Sequence, residues 1–278
     1  MAEAKKLEDK SWGKKITTYV KNRQNEDGGY TFCQHAESNA QDTYYALEIL
    51  SMLSASSPNV EETVKWLNEL RAESIFSIYY VTKALLLCRE KINNVLKKRI
   101  AAQIDSLVSF NSTEVYSEIS SEYTTTFMTL ELANLLGFEK ESSKLLPQIL
   151  NSKNKDGGFG SQNHSNINST YFALASLSFL KMTAKKLDNT IDFVRKCEKP
   201  NGGFTVIPIG AMPYIEHTYY GVLTLDLLGE KCRYPSQTID FVLECQNRNG
   251  GFARSEIGIS TFENTFQAIS ILKKLAHH

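Results

Sequence analysis

Two stretches of the sequence decide the fold: Thr190-Ile-Asp-Phe-Val-Arg-Lys-Cys-Glu-Lys-Pro-Asn-Gly-Gly-Phe204 and Thr238-Ile-Asp-Phe-Val-Leu-Glu-Cys-Gln-Asn-Arg-Asn-Gly-Gly-Phe252. They lie 48 residues apart, and ten of their fifteen positions are identical. A match of this length at a fixed offset indicates an internal repeat. The Gly-Gly-aromatic ending occurs twice more, at Asp27-Gly28-Gly29-Tyr30 and Asp156-Gly157-Gly158-Phe159.

A second element follows each Gly-Gly loop at a nearly constant distance. It is a Thr-aromatic step that opens an apolar run, at Thr43-Tyr44, Thr170-Tyr171, Thr218-Tyr219 and Thr265-Phe266. Two less regular copies, at Thr126-Phe127 and after Ile78-Tyr79-Tyr80, fill the interval between the first two Gly-Gly loops. Six units of about 46 residues therefore account for residues 1–278, which we expect to form a single domain.

Each unit is predicted to form two helices. In Glu62–Leu70 the apolar residues Val64, Leu67 and Leu70 recur at helical spacing between charges, as in a helix with one wet face. The second helix, as in residues 169–180 or 217–228, is apolar or small on nearly every side, so we expect it to be buried. Glycine ends the first helix, and a Ser, Thr, Asp or Asn caps the second. The sequence thus predicts an all-α fold of six helical hairpins.

The composition excludes several classes of protein. With 31 basic and 31 acidic residues the formal net charge is zero, so we expect no nucleic-acid partner. No apolar run approaches the ~18–20 residues of a transmembrane segment, and the first residues show no apolar stretch of a secretory signal. The five cysteines form no CxxC pair, and their odd number does not suggest a disulfide framework. We therefore expect a cytoplasmic protein.

The element Cys245-Gln-Asn-Arg-Asn-Gly-Gly-Phe252 resembles the repeat of protein prenyltransferase β subunits and the related repeat of terpenoid cyclases. The resemblance extends over nearly the whole chain. It implies an (α/α)6 toroid, in which six outer helices surround six inner ones and the inner ring encloses a funnel for an isoprenoid. It also implies an isoprenoid or other lipid-like small molecule as ligand, and an α-subunit-like helical partner.

The resemblance further implies a zinc site. The family histidine matches His217 in the step His217-Thr-Tyr-Tyr220, and the family Asp-x-Cys step falls on Asn168-Ser-Thr170. An amide and a hydroxyl thus replace a carboxylate and a thiolate, although zinc favours thiolate, imidazole and carboxylate ligands. Glu216 is a candidate substitute ligand. His217 is either a ligand or general acid–base, or a buried histidine with satisfied hydrogen bonds.

The same resemblance implies the residues that contact a substrate. Tyr171 matches the family contact with the diphosphate, and Arg254, in the last Gly-Gly-Phe loop, is the candidate cation. A family histidine falls on Glu122, where a carboxylate would repel a diphosphate. Aromatic residues such as Tyr219 either line the isoprenoid funnel or pack between helices.

Four carboxylates, Asp42, Glu122, Glu216 and Glu263, lie near the starts of inner helices. They either form a ring that supplies a catalytic acid, because burial and mutual repulsion raise carboxyl pKa values, or they cap the helices. The acidic Asp-x-Asp-Asp-Thr element of the cyclases matches Asn39–Thr43 only at Asp42 and Thr43.

Three functions remain open from the sequence. The first is a prenyltransferase β-like protein that binds an isoprenoid diphosphate and transfers the chain to an acceptor. The second is a cyclase-like enzyme that uses a carboxylic acid, and the third is a non-catalytic toroid that binds a lipid or a partner. Toroidal glycosidases also need paired carboxylates, but the Gly-Gly-aromatic repeat argues against them.

Overall fold

A computed structural model describes residues 10–109, 119–138, 143–182 and 187–276. In these ranges the chain forms twelve α-helices: α1 Lys10–Lys21, α2 Ala40–Met52, α3 Val60–Glu69, α4 Ile75–Leu87, α5 Asn94–Ser109, α6 Ile119–Leu136, α7 Leu146–Asn151, α8 Ile167–Phe179, α9 Asp188–Cys197, α10 Ile215–Leu227, α11 Pro235–Glu244 and α12 Phe262–Ala276. Within the same ranges, no helix is both long and apolar enough to cross a membrane.

The helices form two concentric layers. The even-numbered helices pack side by side in chain order, and α12 packs against α2, so the inner layer is a closed ring. The odd-numbered helices lie outside and bury one face, as α9 does with Phe193, Val194 and Cys197. One apolar cluster joins Ile16 of the first hairpin to Leu272 of the last. The predicted all-α toroid of six hairpins is therefore confirmed, while the extent of the domain over 1–278 stays a prediction.

A threonine clamp connects the two sequence elements of the regular repeats. The aromatic residue after each Gly-Gly pair is fully buried, and its amide N–H donates to the threonine of the Thr-aromatic step. In the fourth repeat, Phe159 N–H donates to Thr170 Oγ1 at 3.0 Å, and that hydroxyl donates to the carbonyl of Asn166 at 2.7 Å. The clamp satisfies a buried amide that would otherwise have no partner, and it fixes the loop to the start of the inner helix.

The first glycine of the Gly-Gly pair brings each repeat against the next. Gly250 has a φ of +95°, and a Cβ there would lie 2.5 Å from the carbonyl oxygen of Lys15 in α1. Gly28 makes the equivalent approach to Glu62 in α3. Only glycine combines this left-handed backbone with so close a contact. Because Gly250 belongs to the last repeat and Lys15 to the first, this contact closes the outer layer.

The predicted polar caps are present on several inner helices. The side chains of Asn39, Ser74 and Asn166 accept backbone N–H groups at the starts of α2, α4 and α8. The prediction is wrong for α10, where Tyr214 occupies the cap position and makes no side-chain cap hydrogen bond. Instead, the amide of Ile215 donates to the carbonyl of Arg254 in the neighbouring loop.

Candidate functional site

The inner ring encloses a cavity of about 420 Å³. We call the end formed by the first turns of the inner helices the mouth, where Gln41, Asn168, Glu216 and Glu263 line the cavity. All six inner helices contribute to the lining, and each of them contributes at least one aromatic residue. The volume lies within the range of about 300–1,000 Å³ that is usual for ligand sites.

An aromatic belt forms most of the cavity wall. We define it as Tyr44, Tyr45, Tyr79, Tyr80, Phe127, Tyr171, Phe172, Tyr219, Tyr220 and Phe266. Ring-to-ring contacts run continuously from α4 through α2, α12, α10 and α8 to α6, with centroid separations of 5.0–6.3 Å. The predicted residues Tyr171 and Tyr219 both belong to it. Burial raises the pKa of Tyr45, Tyr219 and Tyr220 well above 10, so these hydroxyls stay protonated.

A cluster of charged residues completes the wall between α4 and α6. Glu131 accepts hydrogen bonds from the Tyr79 hydroxyl at 2.5 Å and from Lys83 Nζ at 2.6 Å. Burial raises the pKa of the Glu48 carboxyl group, and the nearby ammonium of Lys83 counteracts this rise. The sequence analysis missed this cluster. A sequence pattern could have revealed it. In three apolar helices a charged residue follows an aromatic residue of the belt by four positions, at Glu48, Lys83 and Glu131.

Four of the predicted residues come together at the mouth. Asn168 Oδ1 lies 3.0 Å from His217 Nδ1, and Glu216 Oε1 lies 3.3 Å from His217 Nε2. Arg254 Nη2 donates to the same Glu216 oxygen at 2.7 Å, and its guanidinium lies 4.1 Å from the centre of the Tyr214 ring. His217 is buried, whereas Asn168 and Glu216 line the cavity. The histidine therefore orients two residues that face a ligand.

Burial sets the charge of His217. It lowers the pKa of the imidazole below 6.5, and Arg254 lowers it further, while Glu216 acts in the opposite direction. The ring is therefore neutral near pH 7 and carries one N–H. With the proton on Nδ1, the ring donates to Asn168 Oδ1. With the proton on Nε2, it donates to Glu216, and the Asn168 amide then has to turn its NH₂ group toward Nδ1.

Glu263 lines the cavity beside rings of the aromatic belt. It accepts hydrogen bonds from the Tyr45 hydroxyl at 3.3 Å, from Gln41 at 3.3 Å and from Gln267 at 3.5 Å. Burial raises its pKa above the usual value, and the charge of Glu216 raises it further. The three donors are neutral and distant, so they stabilise the ionised form only weakly.

Three predicted residues belong neither to the cavity lining nor to the group around His217. Asp42 is buried in the cap of α2, where its carboxylate accepts from Asn39 Nδ2 at 2.8 Å and from the amide of Phe32 at 3.3 Å. Thr170 is engaged in the clamp, and Glu122 is exposed at the start of α6. Asp42 thus holds the side chain of Asn39, which caps α2. Its role as an acid, like the substrate contact of Glu122, stays a prediction.

The residues at the family's zinc positions do not fit a zinc ion. The Thr170 hydroxyl both accepts and donates a hydrogen bond within its own repeat, so it is already engaged by protein partners. That leaves one imidazole and one neutral amide, which is a poor donor set for zinc. Among the described residues, no group of three or more His, Cys, Asp or Glu side chains is placed to hold a metal.

A closed double ring of helices around an aromatic cavity defines the class of α-α toroid proteins. Residues 2–75, 69–167 and 95–278 match the family model of the prenyltransferase alpha-alpha toroid domain. Together the matches span nearly all of the sequence, and the chain belongs to this family. No curated protein matches it.

Solved structures show the same architecture. Candida albicans protein geranylgeranyltransferase-I, complexed with GGPP, has a TM-score of 0.72 and 15% identity, covering 96% of this chain and 92% of that one. A variant of the type II terpene cyclase MstE from Scytonema, in complex with geranylgeranyl dihydroxybenzoate, has a TM-score of 0.67 and 12% identity, covering 99% of both chains. Apo MstE has a TM-score of 0.61 and 12% identity, covering 96% of both chains. At these identities the likeness is one of fold.

Proposed function

We propose that the protein binds an isoprenoid chain in its central cavity, with the head of the ligand at the mouth. The aromatic belt carries this proposal, because it provides a wall of packed rings that continues over five helix junctions. An isoprenoid is a chain of apolar units, and each buried CH₂ contributes about 0.8 kcal/mol. Two structures of the same fold hold ligands of this type, GGPP and geranylgeranyl dihydroxybenzoate.

Isothermal titration with farnesol, geranylgeraniol and their diphosphates tests this proposal, both with and without zinc. We expect at least one of the four to bind. Tyr220→Leu should weaken binding at least tenfold, since Tyr220 contacts Tyr171 and Phe172 across the α8–α10 junction. Tyr234→Leu is the matched control, because Tyr234 lies at the start of the outer helix α11 and is not among the residues that line the cavity. No heat of binding from any of the four ligands would contradict the proposal.

Transfer of the chain to an acceptor is the reaction that the family resemblance implies. It requires more of the site than binding does. A departing diphosphate needs cations, but Lys83 is paired with Glu131 and Arg254 with Glu216. We therefore put binding first and treat transfer, with an α-subunit-like partner, as a further step. Incubation with labelled geranylgeranyl diphosphate and cell extract, followed by detection of labelled protein and native mass spectrometry of the complex, tests for both.

Acid-initiated chemistry on the bound chain is a second candidate function. The observation that favours it is Glu263, a carboxyl group with a raised pKa that lies among the rings of the aromatic belt. A protonated carboxyl group can donate its proton to an alkene, and the tyrosine rings can stabilise the resulting cation as it cyclises. Loss of a proton from the cyclised cation to the Glu263 carboxylate restores the acid and leaves an isomer of the substrate. Mass spectrometry after incubation with linear isoprenoids should show a cyclic isomer that Glu263→Gln abolishes. Unchanged substrate with the wild type would count against this function.

We place the protein in the cytoplasm. Its five cysteines are all free thiols, as is usual in a reducing compartment. Burial raises the pKa of Cys197 and Cys245 to about 12, so both remain unreactive packing residues. Fractionation of cells that express the tagged protein tests this assignment.

A further inference from the structure

The charges around the cavity limit the kind of head group that can bind there. Among the described lining residues, Glu131, Glu216 and Glu263 are acidic, and Lys83 is the one cation. Lys83 is paired with Glu131 at 2.6 Å. The lining therefore offers a net negative charge to a ligand, and its cation is already neutralised.

Arg254 does not reverse this balance at the mouth. Its guanidinium donates to Glu216 at 2.7 Å, stacks on Tyr214 and lies outside the cavity lining. An anion at the mouth would have to compete with the Glu216 carboxylate for this group. The anion would also lie near Glu263, and two negative charges close together repel each other strongly in a site of low dielectric constant.

Glu263 is the acidic residue of the lining that a cationic head group could reach. Its partners among the described residues are the neutral groups of Tyr45, Gln41 and Gln267, at 3.3–3.5 Å. The rings of Tyr45 and Phe266 pack 5.3 Å apart beside it, and Tyr219 follows at 5.8 Å from Phe266. A carboxylate with no cationic partner, next to several aromatic faces, is the environment in which proteins bind organic ammonium groups.

We propose that the site selects an isoprenoid with a protonated amine as its head group, and that it excludes a diphosphate. The amine would form an ion pair with Glu263 and contact the rings of Tyr45 and Tyr219, while the chain lies along the aromatic belt. This inference rests on the proposed function, since it concerns the head of the same ligand. It differs from the acid-initiated candidate in that Glu263 acts as a counter-ion and not as a proton donor.

The test compares three ligands that share one chain: geranylgeranylamine, geranylgeraniol and geranylgeranyl diphosphate, each titrated below its micelle concentration. We expect the amine to bind at least tenfold more tightly than the alcohol, and the alcohol more tightly than the diphosphate. Raising the salt concentration should weaken amine binding and leave alcohol binding unchanged. A diphosphate that binds most tightly, or an amine that binds no better than the alcohol, would overturn the inference.

Variants separate this inference from the proposed function. Glu263→Gln should remove the preference for the amine, so that the amine binds no more tightly than the alcohol, and should increase diphosphate binding. Glu61→Gln, in the exposed first turn of α3, is the matched control and should keep the wild-type order. If none of the three ligands binds to the wild type, the proposed function itself fails. If all bind but Glu263→Gln leaves their order unchanged, only the head-group inference fails.

Discussion

At the scale of single residues, the hydroxyl of Thr170 shows how a position in the family's zinc motif can take a structural role. The equivalent threonines of the other regular repeats make the same pair of hydrogen bonds; they are Thr43, Thr218 and Thr265. A side chain that makes the same hydrogen bonds in every regular repeat has a structural role. The sequence already contained this clue, since all four threonines stand in the same step before an aromatic.

Replacing Thr170 by valine should destabilise the fold. The change keeps the shape of the side chain but leaves the buried Phe159 amide without an acceptor, so we expect a loss of about 1–3 kcal/mol in the free energy of unfolding. Urea denaturation followed by circular dichroism measures it. The control is Thr18→Val on the exposed face of α1, which should change the stability by less than about 0.5 kcal/mol. Equal effects of the two changes would disprove the clamp.

His217 should make the fold less stable in mild acid. Its pKa is lowered in the folded protein and about 6.5 in the unfolded chain, so the unfolded state binds the proton first. Its contribution to stability is therefore complete above pH 6.5 and is lost as the pH falls below that value, at up to about 1.4 kcal/mol per pH unit.

Unfolding measured between pH 7.5 and 5.5 in the wild type and in His217→Gln isolates this effect. Asp42 and Glu263, whose pKa values burial raises, contribute with the opposite sign, but they are present in both proteins. The difference between the two curves should therefore shrink as the pH falls. His164→Gln, at an exposed position, should run parallel to the wild type. A difference that does not vary with pH would show that His217 is not buried as a neutral group.

The sequence could predict much of the site but not its pairings. Asn168, Glu216, Tyr171, Tyr219 and Glu263 were all expected at the helix starts, because the Thr-aromatic step fixes their place on the inner helices. Two further facts depended on packing between distant residues. Glu216 neutralises an arginine 38 positions away, and Glu131 binds a lysine 48 positions away. A repeat pattern gives each helix its position in the ring, but it does not say which side chains meet.

At the scale of elements, the fold was more predictable because each element carries its own local cause. The Gly-Gly turn ends an outer helix, and the threonine that follows begins an inner one. The predicted helix within 217–228 is found as α10 at Ile215–Leu227. What local reasoning could not give is the cap of α10, because its first amide is satisfied by the carbonyl of Arg254 in the next repeat.

Gly250→Ala should destabilise the protein more than Gly229→Ala. Both glycines have positive φ, +95° and +77°, so both changes incur the left-handed penalty of about 1–2 kcal/mol. Only at Gly250 would the new methyl group meet a backbone, that of Lys15. We expect a further loss of about 1–3 kcal/mol there, as in other overpacked sites. Equal losses in thermal or urea unfolding would mean that the contact between the last and first repeats contributes nothing.

At the scale of the whole molecule, closure distinguishes this protein from an open array of repeats. An open array has terminal units with one neighbour each, and these can unfold first. Here α12 packs against both α10 and α2, and Lys273 Nζ donates to the carbonyl of Met52 in the first hairpin. Every inner helix thus has two neighbours.

The ring should therefore unfold without early loss of its first hairpin. The chain has two tryptophans, Trp12 in α1 and Trp66 in α3, and the variants Trp12→Phe and Trp66→Phe each leave one reporter. We expect the two reporters to show the same urea midpoint, once each is corrected for the stability of its variant by circular dichroism. A clearly lower midpoint for Trp12 would indicate that the ring opens at the junction of its first and last repeats.

The threonine clamps also bear on how such a protein acquires a new specificity. The clamped aromatic and its threonine lie 13, 11, 14 and 13 residues apart in the four regular repeats, so one hydrogen bond closes over loops of different length. We therefore expect that insertions and deletions between the aromatic residue and its threonine leave the helix packing intact and change the shape of the mouth. Mutations in these loops, whether natural or in a directed library, can therefore change which ligands enter the cavity without changing the helical scaffold. The loops concerned are residues 160–166, 205–214 and 253–261.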